Sequence, residues 1–167
     1  MKLITILFVA GAALAQMPAA HIADSKARYV AFRDNIQKAA EAMPEESYNF
    51  KPTPDIRSFG ELMGHIADAQ AGICGSATGQ RKALGAAKMT SKADLVGALK
   101  TSSEICTAAF DATTDANAND AASMGQMKST RLGILEYNTG HDAEEYGYAA
   151  VYLRLKNVLP PSSAPRK

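Results

Sequence analysis

The sequence predicts an all-α protein, and an antiparallel four-helix bundle is the simplest packing of its helices. Four segments repeat apolar residues at helical spacing, whereas no segment alternates with period two for long enough to build a sheet. At 167 residues the chain is long enough for one domain with its own core. Bundles of this kind commonly carry metal sites on facing helices.

The composition narrows the classes of function. Hydrophobic residues make up 47% of the chain and charged residues 21%, which is typical of a globular protein rather than a disordered one. The net charge of +1 provides no basic field for binding RNA or DNA. We therefore expect no nucleic-acid partner.

The first fifteen residues have the pattern of a secretory signal peptide. Lys2 gives a positive start, residues 3–14 form an almost uninterrupted apolar run, and Ala13-Leu14-Ala15 supplies a cleavage signal between small residues. The run is shorter than the about twenty residues that span a membrane, so a membrane anchor is the weaker alternative. We expect residues 1–15 to be removed and the mature protein to work in the periplasm or outside the cell.

The chain contains two cysteines, Cys74 and Cys106. An oxidising compartment would allow them to form a disulfide, which would close a loop of about thirty residues and stabilise the fold by about 3–4 kcal/mol. Two buried free thiols are the alternative. A reactive cysteine is less favoured, because no histidine is near either one in the sequence.

The first helix is predicted from Ala23 to Met43, because its apolar and charged residues fall on opposite sides and Pro44 ends it. His21 lies in the frayed start of this segment, where we expect an exposed histidine without a function. Segment 44–57 has no period and is broken by prolines, so it is predicted to be a loop.

A capping box marks the start of the second helix. Ser58 and Glu61 have the spacing at which each side chain satisfies a free backbone N–H of the other residue. The helix is therefore predicted from Ser58 to about Cys74. His65 lies one turn after Glu61 among apolar positions, so we expect it to be partly buried, either as a ligand or as a hydrogen-bonded core histidine.

The third helix is predicted from about Thr90 to Ala112, with Cys106 pointing inward. Residues 111–127 are rich in Asp, Asn, Ala and Thr, which favours a loop or a short irregular helix over a strand. The helical domain is expected to cover residues 16–160. After the double proline, residues 161–167 show no apolar period and are predicted to be disordered.

The last helix is predicted from Ser129 to about Leu155. Polar side chains occupy the middle of its inward stripe, and a helix seldom buries such a combination without a reason. These residues are Asn138, His141, Glu145 and Tyr148. Glycines recur every seven residues in this helix, at Gly133, Gly140 and Gly147. They favour the close approach of a neighbouring helix to the face that they share.

One helical turn separates His141 from Glu145, so both side chains lie on one face of the last helix. His65 lies in the second helix, whose apolar side should meet the same core. The sequence therefore suggests a metal site built from His65, His141 and Glu145.

Two stretches of the chain resemble the DinB-like superfamily. Residues 57–68 read RSFGELMGHIAD, and residues 138–155 begin with NTGH and end with YLRL, followed by Pro160-Pro161-Ser162. The resemblance implies a four-helix bundle that holds a divalent metal with three histidines. It implies that His65 is the ligand from the second helix and His141 the first ligand of the last helix. The third family histidine falls where this chain has Glu145.

The carboxylate in place of a histidine leaves two interpretations open. Two histidines and one carboxylate suit zinc, nickel or iron, and leave positions for water or a substrate. The chain could equally be a member without a metal, in which His141 and Glu145 form a hydrogen-bonded pair. Nearby side chains are expected to support the site or transfer protons, with a solvated helix face as the alternative. They are Glu61, Asn138, Asp142, Glu144, Tyr146 and Tyr148.

The leading hypothesis is an exported DinB-like protein with a divalent metal on His65, His141 and Glu145. Some relatives are thiol-dependent transferases and others look like metal-dependent hydrolases. If the chain is an enzyme, the resemblance therefore implies hydrolysis or thiol transfer on a small molecule. The alternative is a non-catalytic, metal-free bundle that binds a ligand or a protein partner. No stable membrane anchor is expected, and a homodimer is compatible with the sequence.

Overall fold

Four helices dominate the structure, a computed structural model that describes residues 19–165. They are α1 (Ala19–Ala42), α2 (Phe59–Ala77), α3 (Lys92–Asp111) and α4 (Arg131–Leu155). Helix α2 packs against α3 and α4, and α1 packs against α4 and α3, which confirms the predicted all-α bundle. None of the described helices combines the length and the apolar character that a membrane span requires. The predicted signal peptide, residues 1–15, lies outside the described residues.

A small β-hairpin lies between α3 and α4, where the sequence predicted a loop or an irregular helix. Strands β1 (Ala121–Met124) and β2 (Met127–Thr130) pair in antiparallel orientation. The turn between them contains Gly125 at a φ of 59°, a conformation that favours glycine. The prediction that the chain builds no sheet is wrong here, because strands of four residues are too short to show a clear period of two.

The predicted capping box at the start of α2 is confirmed. Ser58 Oγ accepts a hydrogen bond from the Glu61 N–H at 3.2 Å, and Glu61 Oε2 accepts one from the Ser58 N–H at 2.6 Å. The helix continues to Ala77, beyond the predicted end near Cys74. Because the cap fixes the first turn of α2, it also fixes the face on which His65 lies.

The predicted disulfide between Cys74 and Cys106 is confirmed. It joins α2 to α3, with the two Cα atoms 5.0 Å apart and the residues 32 positions apart in the chain. Both cysteines are fully buried in an apolar cluster that also contains Tyr29, Phe110 and Leu132. A second apolar cluster fills the part of the bundle that carries the first turns of α2 and the last turns of α4.

The glycines of α4 do not admit a neighbouring helix, so that prediction is wrong. Gly140 and Gly147 are exposed, and no atom lies within 4 Å of the position that a Cβ would take. Gly133 meets side chains just before its own helix. On α2, by contrast, a Cβ at Gly64 would lie 2.7 Å from the carbonyl oxygen of Ala86. A spacing of seven shows that glycines share a face, but not whether that face points to a neighbour.

We expect Gly64→Ala to lower the free energy of unfolding by about 1–3 kcal/mol, because the new methyl group would overlap backbone that cannot swing aside. Urea denaturation measures this change. Gly140→Ala is the matched control, since it changes a helical glycine with open space around it. It should be neutral or stabilise the protein by up to about 1 kcal/mol. Equal losses in both variants would contradict the packing argument.

The segment predicted to be disordered, residues 161–167, begins with an ordered turn. Pro161–Ser163 form a 3-10 turn. Tyr146 Oη donates to Ser162 Oγ and accepts from the Ser162 N–H, both at 2.8 Å. The prediction is wrong for these residues because it considered only the apolar period, whereas polar contacts hold the turn. Residues 166 and 167 lie outside the described part of the chain.

Candidate metal centre

His65, His141 and Glu145 converge from two helices. His65 lies on α2, while His141 and Glu145 lie one turn apart on α4, which packs against α2. The two Nε2 atoms are 3.2 Å apart. Glu145 Oε1 lies 3.4 Å from His65 Nε2 and 3.6 Å from His141 Nε2. The structure thus brings together all three residues that the sequence suggested as ligands.

This triangle of donor atoms has the dimensions of a metal site. Ligand atoms about 2.0–2.1 Å from a tetrahedral zinc ion lie about 3.3–3.4 Å from one another, which is close to the separations observed here. Two imidazoles and a carboxylate form a donor set that zinc, nickel and iron accept. Three protein ligands leave a further coordination position for water or a substrate.

Burial makes the cluster difficult to satisfy without a cation. Glu145 is 6% exposed, and among the described residues its Oε2 has no hydrogen-bond partner. A buried polar atom without a partner costs about 1–3 kcal/mol. A hydrogen on one Nε2 atom can bridge the two imidazoles or point toward Glu145 Oε1, but a single hydrogen does not satisfy all three donor atoms at once. A divalent cation would engage all three side chains at once, so the residues present fit a metal.

The two imidazoles have different electrostatic environments. Burial lowers the pKa of His65 below its ordinary value, and the Arg57 guanidinium lowers it further, against the opposing effect of the Glu145 carboxylate. The Asp142 carboxylate raises the pKa of His141, against burial, which lowers it. Since a neutral imidazole is the form that binds metals, His65 is the more readily available ligand and His141 the more basic one.

Asp142 lies behind His141 and belongs to a buried polar network. Its Oδ2 accepts hydrogen bonds from Gln70 Nε2 at 3.0 Å and from Asn138 Nδ2 at 2.8 Å. Ser102 donates to Gln70 Oε1 at 2.7 Å, which extends the network to α3. Asp142 Oδ1 has no hydrogen-bond partner among the described residues and lies 3.9 Å from His141 Nδ1. A carboxylate in this position favours a hydrogen on Nδ1, and so leaves Nε2 free to bind a metal.

The sequence predicts part of this network. It places Asn138 near the site and leaves Asp142 between a functional role and a solvated face, and the structure buries both side chains completely. It does not recognise Gln70 or Ser102 as members. Each of these residues lies one turn before a cysteine on a buried helix face, where a polar side chain requires a partner. That pattern is the signal that could have identified them.

We expect Asp142→Asn to lower zinc affinity by about 10–100-fold, the usual effect of losing the group that supports a metal-binding histidine. The asparagine oxygen can keep the hydrogen bonds from Gln70 and Asn138. Its amide group would face His141 Nδ1 and favour the hydrogen on Nε2, where it blocks the metal. Competition with a chromophoric chelator measures the affinity. Asp111→Asn removes an exposed carboxylate of α3 as the control, and equal losses in both variants would argue against this role.

Four other side chains suggested around the site make their hydrogen bonds elsewhere. Glu61 caps α2 and pairs with Lys51 Nζ at 3.1 Å. On the exposed side of α4, Tyr148 Oη donates to Glu144 Oε1 at 3.0 Å. Tyr146 is bonded to the turn at the end of the chain. None of these hydrogen bonds involves the three donor atoms, and Tyr148 also lines a cleft that reaches Glu145.

Two open clefts reach the cluster on either side of the segment before α2. The first, of about 590 Å³, extends to Glu145 and has a mainly apolar lining. The second, of about 460 Å³, extends to His65. Asp55, Ile56 and Arg57 line both clefts. A small molecule can therefore approach the donor atoms from solvent.

Comparison with known proteins agrees with this architecture. The family model of the DinB superfamily matches residues 28–149. A DinB-like protein from Bacillus cereus ATCC 10987 superposes with a TM-score of 0.72 at 15% identity, over 86% of this chain and 95% of that chain. A DinB-like protein from Bacillus subtilis gives 0.68 at 18% identity, over 86% and 99%. At these identities the two structures support the fold alone. Among curated proteins, none matches this chain in sequence.

Proposed function

The chain belongs to the DinB superfamily, and from that premise we propose that it is an exported, metal-dependent hydrolase of small molecules. His65, His141 and Glu145 would hold the divalent ion, and their donor set suits zinc, nickel or iron. The observation that carries the proposal is the triangle of three donor atoms, separated by 3.2, 3.4 and 3.6 Å.

A divalent ion held by these residues would supply a nucleophile, because such ions lower the pKa of bound water toward neutrality. The side chains of the protein perform the remaining tasks. Glu145 would contribute Oε1 as a ligand, while its Oε2 is buried and has no hydrogen bond among the described residues. The Asp142 carboxylate, whose Oδ1 lies 3.9 Å from His141 Nδ1, favours a hydrogen on Nδ1, away from the proposed metal position. The clefts beside Glu145 and His65 admit the substrate.

The disulfide supports both hydrolysis and export. A bond between Cys74 and Cys106 is typical of an oxidising compartment. Reduced small thiols are scarce in such a compartment, so water is a more available nucleophile than a thiol cosubstrate.

Export can be tested separately from the reaction. When the chain is expressed with its own N-terminus in a bacterium, mass spectrometry should find it outside the cytoplasm and starting near Gln16. Recovery of the full-length chain in the cytoplasm would contradict export.

The proposed metal site is tested by metal analysis of the mature protein. After loading with zinc, nickel or iron(II) and removal of free metal, we expect about one equivalent of bound ion. Less than about a tenth of an equivalent of each metal would instead favour the metal-free bundle that binds a ligand or a protein partner. The metal-loaded protein should hydrolyse a panel of nitrophenyl esters and phosphate esters, and a chelator should abolish this activity.

A further inference from the structure

One cationic side chain lies at the mouth of the proposed site. Arg57 is exposed and lines both clefts, and in the described part of the chain it forms no ion pair. The other charges of the second cleft are largely engaged. Lys51 pairs with Glu61, and the Asp68 carboxylate accepts hydrogen bonds from two backbone N–H groups at 3.0 and 2.9 Å. Asp55 also lines both clefts, and it too forms no ion pair among the described residues.

The backbone of Arg57 is fixed although its side chain is not. Tyr152, which is 5% exposed, donates a hydrogen bond from its hydroxyl to the Arg57 carbonyl oxygen at 2.5 Å. The next residue, Ser58, is buried and begins the cap of α2. The side chain of Arg57 therefore starts from a fixed point beside the two clefts that reach Glu145 and His65. The fixed backbone limits where the guanidinium can reach, and no ion pair among the described residues competes with a ligand for it.

The first cleft combines this cation with an apolar surface. Ile56 is 42% exposed and Val151 is 52% exposed, and both line the cleft together with Leu62. Glu145, one of the proposed metal ligands, lies in the same cleft. The cleft thus offers an apolar wall, a guanidinium and the proposed reaction centre within one space.

We propose that Arg57 selects the substrate by binding an anionic group of a small organic molecule whose apolar part lies against Ile56 and Val151. A guanidinium matches a carboxylate or phosphate group with two parallel hydrogen bonds, and the unpaired charge of Arg57 is available for them. The ligand class is therefore a small organic anion with an apolar body. This inference rests on the proposed function, because it assigns the class of substrate to the same site.

The test compares a carboxylic acid with its neutral amide. The probes are 4-phenylbutyrate and 4-phenylbutanamide, and their binding to the zinc-treated full domain is measured by calorimetry and ligand-observed NMR. The wild-type protein should prefer the acid by about tenfold or more, the effect of a charged hydrogen bond. In Arg57→Gln the preference for the acid should fall to within about twofold. Arg57→Lys should show an intermediate preference, because lysine keeps the positive charge but lacks the paired N–H groups that bind a carboxylate with two hydrogen bonds.

Lys51→Gln is the matched control, because it removes one positive charge from the second cleft only. It should keep the wild-type preference for the acid. An unchanged preference in Arg57→Gln, or absence of acid binding to the wild type, would overturn the inference. Bound zinc in the same samples reports on the proposed function separately. If the protein binds zinc normally but Arg57 does not affect the preference for the acid over the amide, only the substrate class is refuted. If Arg57 determines that preference but no zinc is bound, only the metal site is refuted.

Discussion

Replacement of His141 by alanine should lower zinc affinity by far more than 100-fold. The variant loses one of three donor atoms, and loss of a group that merely supports such a donor already costs about 10–100-fold. Competition with a chromophoric chelator at constant pH measures the affinity, and circular dichroism checks that the helices remain. Glu145→Gln should give a loss of the same kind, because a neutral amide replaces the carboxylate with little change in volume.

His21→Ala is the matched control for this experiment. His21 lies on α1, its Nε2 is 3.2 Å from Glu136 Oε1, and its side chain is 39% exposed. It belongs to no cluster of three metal-binding side chains among the described residues. Its removal should leave zinc affinity unchanged within about twofold. Tight zinc binding by His141→Ala, or an equal loss in the His21 variant, would exclude the proposed ligand set.

The double replacement Cys74→Ala and Cys106→Ala should lower the free energy of unfolding by about 3–4 kcal/mol, since the bond restricts the unfolded chain. The disulfide closes a loop that spans 32 positions and joins α2 to α3. Urea denaturation under non-reducing conditions measures the difference. The effect is large because typical domains of this kind are stable by only about 5–15 kcal/mol.

The single cysteine variants provide a stringent control. Each removes the same bond, so each should cost nearly as much as the double variant, and the costs should not add. Wild-type protein unfolded in the presence of a strong thiol reductant should approach the stability of the variants. A difference of less than about 1 kcal/mol between the oxidised wild type and the double variant would contradict a stabilising disulfide.

The features predicted from the sequence are those with a local physical cause. The capping box of Ser58 and Glu61 depends on residues three positions apart, and the helix periods depend on each segment alone. The pairing of His141 with Glu145 follows from the helical turn. His65 could be added because an amphipathic helix directs its apolar side, and the residues within it, toward the common core.

The features that the sequence did not predict depend on contacts between distant segments. Gln70 forms hydrogen bonds with both Ser102 and Asp142, and the three buried side chains come from three different helices. The position of Gln70 and Ser102 on buried helix faces indicates that each needs a partner, but it does not say which residue that partner is. The predicted close approach of a helix to the glycines of α4 is wrong for a related reason. Gly140 and Gly147 face solvent, while the close contact occurs at Gly64.

The turn of α4 that carries two of the three proposed ligands has a glycine at either end. Gly140 directly precedes His141, and Gly147 follows Glu145 by two positions. Each glycine weakens a helix interior by about 1 kcal/mol relative to alanine, and neither is held by a neighbouring group. This turn therefore unwinds at a lower free-energy cost than a glycine-free turn would. Coordination of an ion by His141 and Glu145 would oppose that unwinding, so occupancy of the site and rigidity of the helix would rise together.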